Sequence, residues 1–236
     1  MEETFYTSAI ILKRNAWKEN DSKVIVYSLE KGKLELVARG TKKILSKLAS
    51  HLEPITLSDL MVIKGRQVDY VGTAISEENF QSIKSNLDKI FLVGEVINLF
   101  DSLVKDQEKD PQLFYLLRDF LFLANSKNKT EQLSLAFKIK LIAVLGYAPN
   151  FDDCIVCGGK SISENSVFDF AKGGVVCERC KIQAGKNIQN LNSSLIKNYQ
   201  EILSRDIKEA TNKNFPDMVI EKLGQFVYSY ILASIK

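Results

Sequence analysis

The chain has 236 residues, 45% of them hydrophobic, with only four prolines and 12 glycines; this composition supports a packed core and argues against disorder. Its formal net charge is +3, so bulk charge alone does not point to nucleic acid. No apolar run reaches the roughly 18 residues that span a bilayer; the nearest, Ile90–Phe100, is short and carries Glu95.

The N-terminus, Met1-Glu2-Glu3-Thr4, is acidic and has neither a signal-peptide nor a transit-peptide pattern, so a reducing cytoplasmic location is expected. Residues 5–75 read as β-structure. Ser8–Leu12, Lys23–Leu29, Leu34–Arg39, Ile55–Ile63 and Val68–Ile75 are rich in Val, Ile, Leu and Tyr. The turn signals Asn20-Asp21, Lys31-Gly32 and Lys64-Gly65 separate them. Leu34, Leu36 and Ala38 alternate with Glu35, Val37 and Arg39, which places Glu35 and Arg39 opposite the apolar set. Five short strands in about 70 residues suit a small barrel, and the OB-fold is one of that size that often binds oligonucleotides. An SH3-like barrel fits the pattern nearly as well. Lys31, Lys33, Arg39, Lys42, Lys43 and Lys47 fall within 17 residues, opposed by Glu35 alone. Such a cluster is a candidate phosphate-facing patch, although lysines also commonly solvate loops.

From Ser76 the periodicity becomes helical. Leu87, Ile90, Phe91, Gly94, Ile97 and Val104 form a stripe that Val93, Val96, Phe100 and Leu103 widen, which predicts a helix buried on most of its girth. Asp110-Pro111 reads as an N-cap followed by proline at the first helical position. Leu113–Leu123 is almost wholly apolar, Asn125–Thr130 is a polar break, Glu131–Leu145 is helical again, and Gly146 is a plausible stop. Ser193–Leu203 and Asp217–Ile235 resume helical character.

Between these helices lie all four cysteines of the chain. Cys154 and Cys157 form one C-x2-C, and Cys177 and Cys180 form a second after a gap of 19 residues. Two such knuckles facing each other supply the tetrahedral thiolate set of a zinc site. Four cysteines close the coordination sphere, so the expected zinc is structural, where a catalytic zinc keeps an open position. A reducing compartment disfavours the alternative of two disulfides. The metal is expected to supply the folding energy of this insertion, which then needs no hydrophobic core of its own.

Other chemistry finds little support. His51 is the sole histidine, so a metal site built from several histidines is excluded, and a satisfied loop histidine is the simpler reading. Gly159-Lys160-Ser161 resembles the end of a P-loop, but Cys154 stands where its first glycine belongs. Asp152-Asp153 flank the first cysteine and read as capping or solvating the knuckle rather than binding magnesium.

The residues around the cysteines are more specific. Leu145-Gly146-Tyr147-Ala148-Pro149 leads into Asp153-Cys154-Ile155-Val156-Cys157-Gly158, and Gly173-Gly174-Val175-Val176-Cys177-Glu178-Arg179-Cys180 follows. Upstream stand Glu19-Asn20-Asp21-Ser22, Ala38-Arg39-Gly40-Thr41-Lys42-Lys43 with Ser46, and His51-Leu52-Glu53-Pro54. This ordered set resembles the RecO family of bacterial recombination mediators along essentially the whole chain, most weakly after Lys181. Some family members lack the cysteines, which agrees with a stabilising role for the metal.

The resemblance implies an α+β protein. A five-stranded OB-fold barrel over residues 1–76 would precede a helical domain over 77–236, interrupted by a zinc-binding segment at 150–184. It implies a non-enzymatic, cytoplasmic, nucleoid-associated protein of DNA repair. Such proteins bind single- and double-stranded DNA and anneal complementary strands. With RecR, and sometimes RecF, they help RecA replace single-strand-binding protein, whose acidic, apolar tail they contact. No membrane role is implied. Lysines and arginines would neutralise phosphates and make affinity fall with salt. The candidates for that work are Arg14, Lys31, Lys33, Arg39, Lys42, Lys43 and Lys47, with Lys64 and Arg66 as outliers. Trp17 and Tyr27 could stack on bases or fill the barrel. Two other readings remain open: a zinc-containing protein-interaction scaffold, and a metal-dependent enzyme acting on nucleic acid.

Overall fold

A computed structural model describes residues 3–126, 130–160, 163 and 165–234. The chain divides into two compact units, 1–128 and 129–236. The division falls later than the change of periodicity at Ser76, because three helices belong with the strands.

In the first unit all five expected strands form: β1 (Thr4–Ala16), β2 (Ser22–Ser28), β3 (Gly32–Ala38), β4 (Thr56–Ile63) and β5 (Asp69–Glu78). They close into a barrel in the order β1-β2-β3-β5-β4. Closure depends on the length of β1, which pairs with β4 through Thr4–Ile11 and with β2 through Ala9–Ala16. A register shift between Ile11 and Lys13 bends it from one partner to the other. One parallel contact, Leu36 with Asp69 and Val37 with Tyr70, joins β3 to β5. Alternate residues fill the interior: Ala9 and Ile11, Val24 and Val26, Leu36 and Ala38, Leu60 and Val62, Val71 and Ala74. Leu52, on a single turn of 3-10 helix at Ser50–Leu52, adds to this core.

The outer face of the barrel carries the helices of this unit, α1 (Gln81–Lys84), α2 (Leu87–Leu103) and α3 (Pro111–Ser126). Asn86 caps α2 by accepting from Lys89 N–H at 3.0 Å. Tyr27, fully buried, meets Phe100 of α2 edge to face with 5.0 Å between ring centres. Its hydroxyl donates to Asp110 O at 3.1 Å. Asp101 receives Lys13 at 2.7 Å and Lys33 at 3.1 Å. The wide buried girth expected for α2 is not found. Val93, Val96, Ile97 and Phe100 are buried, whereas Leu87 and Phe91 are 75% and 76% exposed. The helix meets the barrel through its C-terminal turn, and that contact covers one face only. Asp110 caps α3 as the sequence predicts, its carboxylate accepting from Gln112 N–H at 2.7 Å.

The second unit is built on α4 (Thr130–Val144), α5 (Ser193–Ser204), α6 (Ile207–Asn212) and α7 (Asp217–Ser234). Here lies the helix buried nearly all round: Leu133, Leu135, Ala136, Phe137, Ile139, Leu141 and Ile142 of α4 are all in the core. Gln132, also buried, donates its amide to Ala210 O and Lys213 O, both at 2.7 Å, and so ties α4 to the end of α6. Gly146 ends α4 with φ +80°, and Tyr147 N–H returns to Ile142 O at 2.7 Å.

The cysteine segment between α4 and α5 contains a small sheet, β6 (Val167–Asp169), β7 (Gly174–Val176) and β8 (Ile188–Asn190), ordered β7-β6-β8. The expectation that this insertion needs no apolar core is corrected by its aromatics. Phe151, Phe168 and Phe170 cluster with Tyr199 of α5 and with Phe226 and Tyr230 of α7; Phe168 and Phe226 ring centres are 4.9 Å apart. The segment is thus seated on the helices by apolar contact as well as by any metal. No helix among the described residues is long and apolar enough to cross a membrane.

Candidate metal centre and nucleic-acid interface

The two C-x2-C turns face each other beside β7 of the small sheet. Cys154, Cys177 and Cys180 are buried and Cys157 is exposed. All four Sγ atoms lie within 4.8 Å of one another. Cys157 Sγ and Cys177 Sγ stand 3.9 Å apart, close to the edge of about 3.8 Å that a tetrahedron with metal–sulfur bonds of about 2.3 Å requires. A disulfide would need about 2.05 Å.

Backbone geometry sets this arrangement. Gly158, at φ +66°, turns the first knuckle, and its N–H donates to Cys154 O at 2.8 Å. A side chain at Gly174 would lie 2.4 Å from Ile155 Cγ2, so glycine there lets β7 approach the first knuckle. Ile155 N–H then donates to Val175 O at 2.9 Å, and Cys177 N–H to Cys154 Sγ at 3.3 Å. Burial opposes ionisation of Cys154, but the N–H groups of Cys177, Cys157 and Val156 outweigh it and bring its pKa down to about 6. Cys180 is pushed up to about 12, first by its hydrogen bond with Cys177 and then by burial among the other thiols. Four soft donors in a nearly closed site fit a metal ion, and the four cysteines are close enough to hold one.

The side chain that caps this turn is Asn150, whose Oδ1 accepts from the N–H groups of Asp152 and Asp153 at 2.9 and 3.3 Å, so the capping role expected of the two aspartates falls to their neighbour. Ser161 of the P-loop-like tripeptide lies outside the described residues. His51 is tied into the barrel, its Nδ1 accepting from Ser76 N–H at 3.1 Å.

The basic residues divide into those the fold uses and those it displays. Arg14 is largely buried: it pairs with Glu53 at 2.5 Å and donates to Ala49 O and Thr41 O at 3.0 and 3.2 Å. Lys33 is similarly enclosed, donating to Asp101 O at 2.7 Å and Val104 O at 3.0 Å beside the Asp101 and Asp106 carboxylates. Lys64 pairs with Glu3 at 3.0 Å on the surface, and Lys42 reaches Lys18 O at 3.0 Å. Lys31 stands over Phe5, at the opposite end of β3 from Arg39. Arg39, Lys43, Lys47 and Arg66 are exposed.

Beside the β1–β2 turn and the C-terminal end of β3, two cations meet aromatic rings. The guanidinium of Arg39 lies 4.2 Å from the Tyr70 ring centre, and Lys23 Nζ lies 4.2 Å over Trp17. Trp17 is 40% exposed, whereas Tyr27 is core and unavailable for stacking. Lys23 and Tyr70 were not among the sequence candidates. The signal for Lys23 was its outward parity with Ile25 on β2; for Tyr70 it was the place of β5 beside β3, which only the topology reveals.

Two family models match the chain. Recombination protein O N terminal covers residues 1–80, and Recombination protein O C terminal covers residues 84–236. Among curated relatives, the DNA repair protein RecO of Caldanaerobacter subterraneus subsp. tengcongensis is 26% identical over 227 residues, 95% of this chain and 90% of that protein. The DNA repair protein RecO of Desulforamulus reducens is 31% identical over 172 residues, 73% and 67% of the two chains. That of Pelotomaculum thermopropionicum is 30% identical over 185 residues, 78% and 72%. Matched along nearly its whole length, in the barrel and in the cysteine-bearing helical unit alike, the chain belongs to the RecO family.

Proposed function

We propose that this protein is a non-enzymatic recombination mediator of DNA repair. It binds single- and double-stranded DNA and anneals complementary strands. With RecR, and in some settings RecF, it helps load RecA onto strands coated by single-strand-binding protein, whose C-terminal tail it contacts. The observation that carries this reading is the match of both halves of the chain to the Recombination protein O models.

The barrel is the OB-fold of the pair, and the end that carries Arg39, Tyr70, Trp17 and Lys23 is the DNA face. The exposure of Arg39, Lys43, Lys47 and Arg66, and the two cation–aromatic pairs Arg39–Tyr70 and Lys23–Trp17, support that assignment. Cations neutralise phosphates and release counterions, while exposed rings offer faces to bases. In annealing, such contacts lower the repulsion between two strands and base pairing supplies the specificity. Arg14 and Lys33 hold the fold and leave that work to their neighbours.

Cys154, Cys157, Cys177 and Cys180 hold Zn2+ in a closed, structural site. Bound zinc joins the two knuckles and stabilises the helical unit. The protein works in the cytoplasm, at the nucleoid.

Annealing of labelled complementary strands coated by single-strand-binding protein, with magnesium and without ATP, tests this reading. Annealing without cleavage is the expected outcome. Cleavage of the strands would establish the nucleic-acid enzyme instead, and a protein that leaves DNA unbound would be a scaffold.

A further inference from the structure

The loop between β3 and β4 is held at both feet by one side chain. Arg14 Nη2 donates to Thr41 O at 3.2 Å and Nη1 to Ala49 O at 3.0 Å, with Glu53 at 2.5 Å from Nη1. Thr41 is itself buried, and its hydroxyl donates to Ser22 Oγ at 2.8 Å. Lys42 N–H donates to Asn20 O at 3.1 Å, so the loop also leans on the β1–β2 turn. Between the feet, Ser46 N–H returns to Lys43 O at 3.0 Å and closes a tight turn. The central residues of that turn are Ile44 and Leu45, 102% and 92% exposed. Polar residues are the usual occupants of such a position. Lys42, Lys43 and Lys47 surround them in sequence and are exposed. The β1–β2 turn that supports the loop carries Trp17 under Lys23.

We propose, resting on the DNA-binding reading above, that residues 42–48 form a pre-shaped wedge for unpaired bases. Ile44 and Leu45 lie against the faces of unstacked bases, while Lys43 and Lys47 hold the flanking phosphates. Apolar side chains inserted beside bases are an established way for proteins to exploit their hydrophobic faces. Bases in a duplex already bury those faces on one another, so the wedge favours single strands. Clamping by Arg14 orders the loop before binding and lowers the entropy lost on association. Aliphatic residues among lysines also suit an anionic lipid surface. Membership in a family of DNA repair proteins decides for bases over lipid.

The test uses the full chain and the double variant Ile44→Ser, Leu45→Ser, with Leu45→Ser alone as a milder second variant. Binding is measured to a single strand containing 2-aminopurine and to the duplex of the same sequence. Both side chains are exposed, so the melting temperature should not move. The expected result is a loss of roughly tenfold in single-strand affinity, with duplex affinity within about twofold and the 2-aminopurine signal on binding reduced. A smaller loss in the same direction is expected for the single variant. Unchanged single-strand affinity and signal in the folded variants would overturn the wedge while leaving DNA binding intact. No salt-sensitive binding by the parent chain would overturn the DNA reading and the wedge with it. Sedimentation with phosphatidylglycerol vesicles that depends on Ile44 and Leu45, without any effect of the double variant on single-strand affinity, would assign the loop to a lipid surface instead.

Discussion

The cysteine segment and the basic stretch both stand out in the sequence, and the structure treats them differently. Every cysteine reaches the place its spacing predicts, with all four sulfurs within 4.8 Å of one another. The basic residues scatter: Arg14 and Lys33 are drawn into the fold, Lys31 goes to the far end of β3, and Arg39, Lys43 and Lys47 remain on display. A C-x2-C turn places its own ligands by local geometry, so sequence spacing is nearly sufficient. A cation's role depends on which carboxylates and carbonyls the fold brings beside it, and these lie tens of residues away.

The largest expected effect lies on the cysteine side. Cys154→Ser should release the metal and destabilise the second unit by several kcal/mol, since a structural zinc contributes on the order of 10 kcal/mol. Metal content and melting temperature measured together check this; a metal-free variant with the parent's melting temperature would break the contrast. Next comes the displayed set. Replacing Arg39, Lys42 and Lys43 together by Ala should weaken DNA binding by about tenfold or more at moderate salt, with an unchanged melting temperature. Arg14→Ala should do the reverse, costing about 1–3 kcal/mol of stability in a denaturant titration because it strands Thr41 O, Ala49 O and Glu53.

The smallest effect concerns Asp101. Burial raises its pKa, but hydrogen bonds from Lys13 and Lys33 outweigh it and hold the carboxyl below the usual 3.8. A depressed carboxyl stabilises the fold above its unfolded pKa, and that stability is lost as pH falls through the folded value. The parent chain should therefore lose more stability than Asp101→Asn in denaturant titrations taken from neutral pH to the acid side of the carboxylate range. Equal acid sensitivity in the two would show that Lys13 and Lys33 do not depend on this partner.

Much of the fold was legible. Five strands, the Asp110 cap and the Gly146 stop follow from alternation, capping chemistry and positive φ, all of which are local. The misread parts share a cause. Leu87 and Phe91 fit the apolar stripe of α2 yet stay exposed, while the helix meets the barrel near Phe100 and Asp101. Tyr27 reads in sequence more readily as a core residue than as a base-stacking one, and its burial under α2 agrees. The seating of Phe151, Phe168 and Phe170 on Phe226 and Tyr230 joins residues some sixty to eighty apart in the chain. Ile55 at φ +58° breaks the preference of a β-branched residue, and nothing in its neighbours announces it. At the candidate sites the four-cysteine cluster was readable from its spacing and Lys23 from its outward parity on β2, whereas Tyr70 needed the barrel topology.

The claim that one end of the barrel displays its cations to DNA while others serve the fold is tested most directly by salt titration. Single-strand affinity is measured across a salt series for the parent, for the Arg39, Lys42, Lys43 triple alanine variant, and for Lys33→Ala. The account predicts a log affinity against log salt slope shallower by about 2 in the triple variant, since each lost phosphate contact removes about 0.7. Lys33→Ala should keep the parent slope. Equal slopes in the parent and the triple variant, or a shallower one in Lys33→Ala, would contradict it.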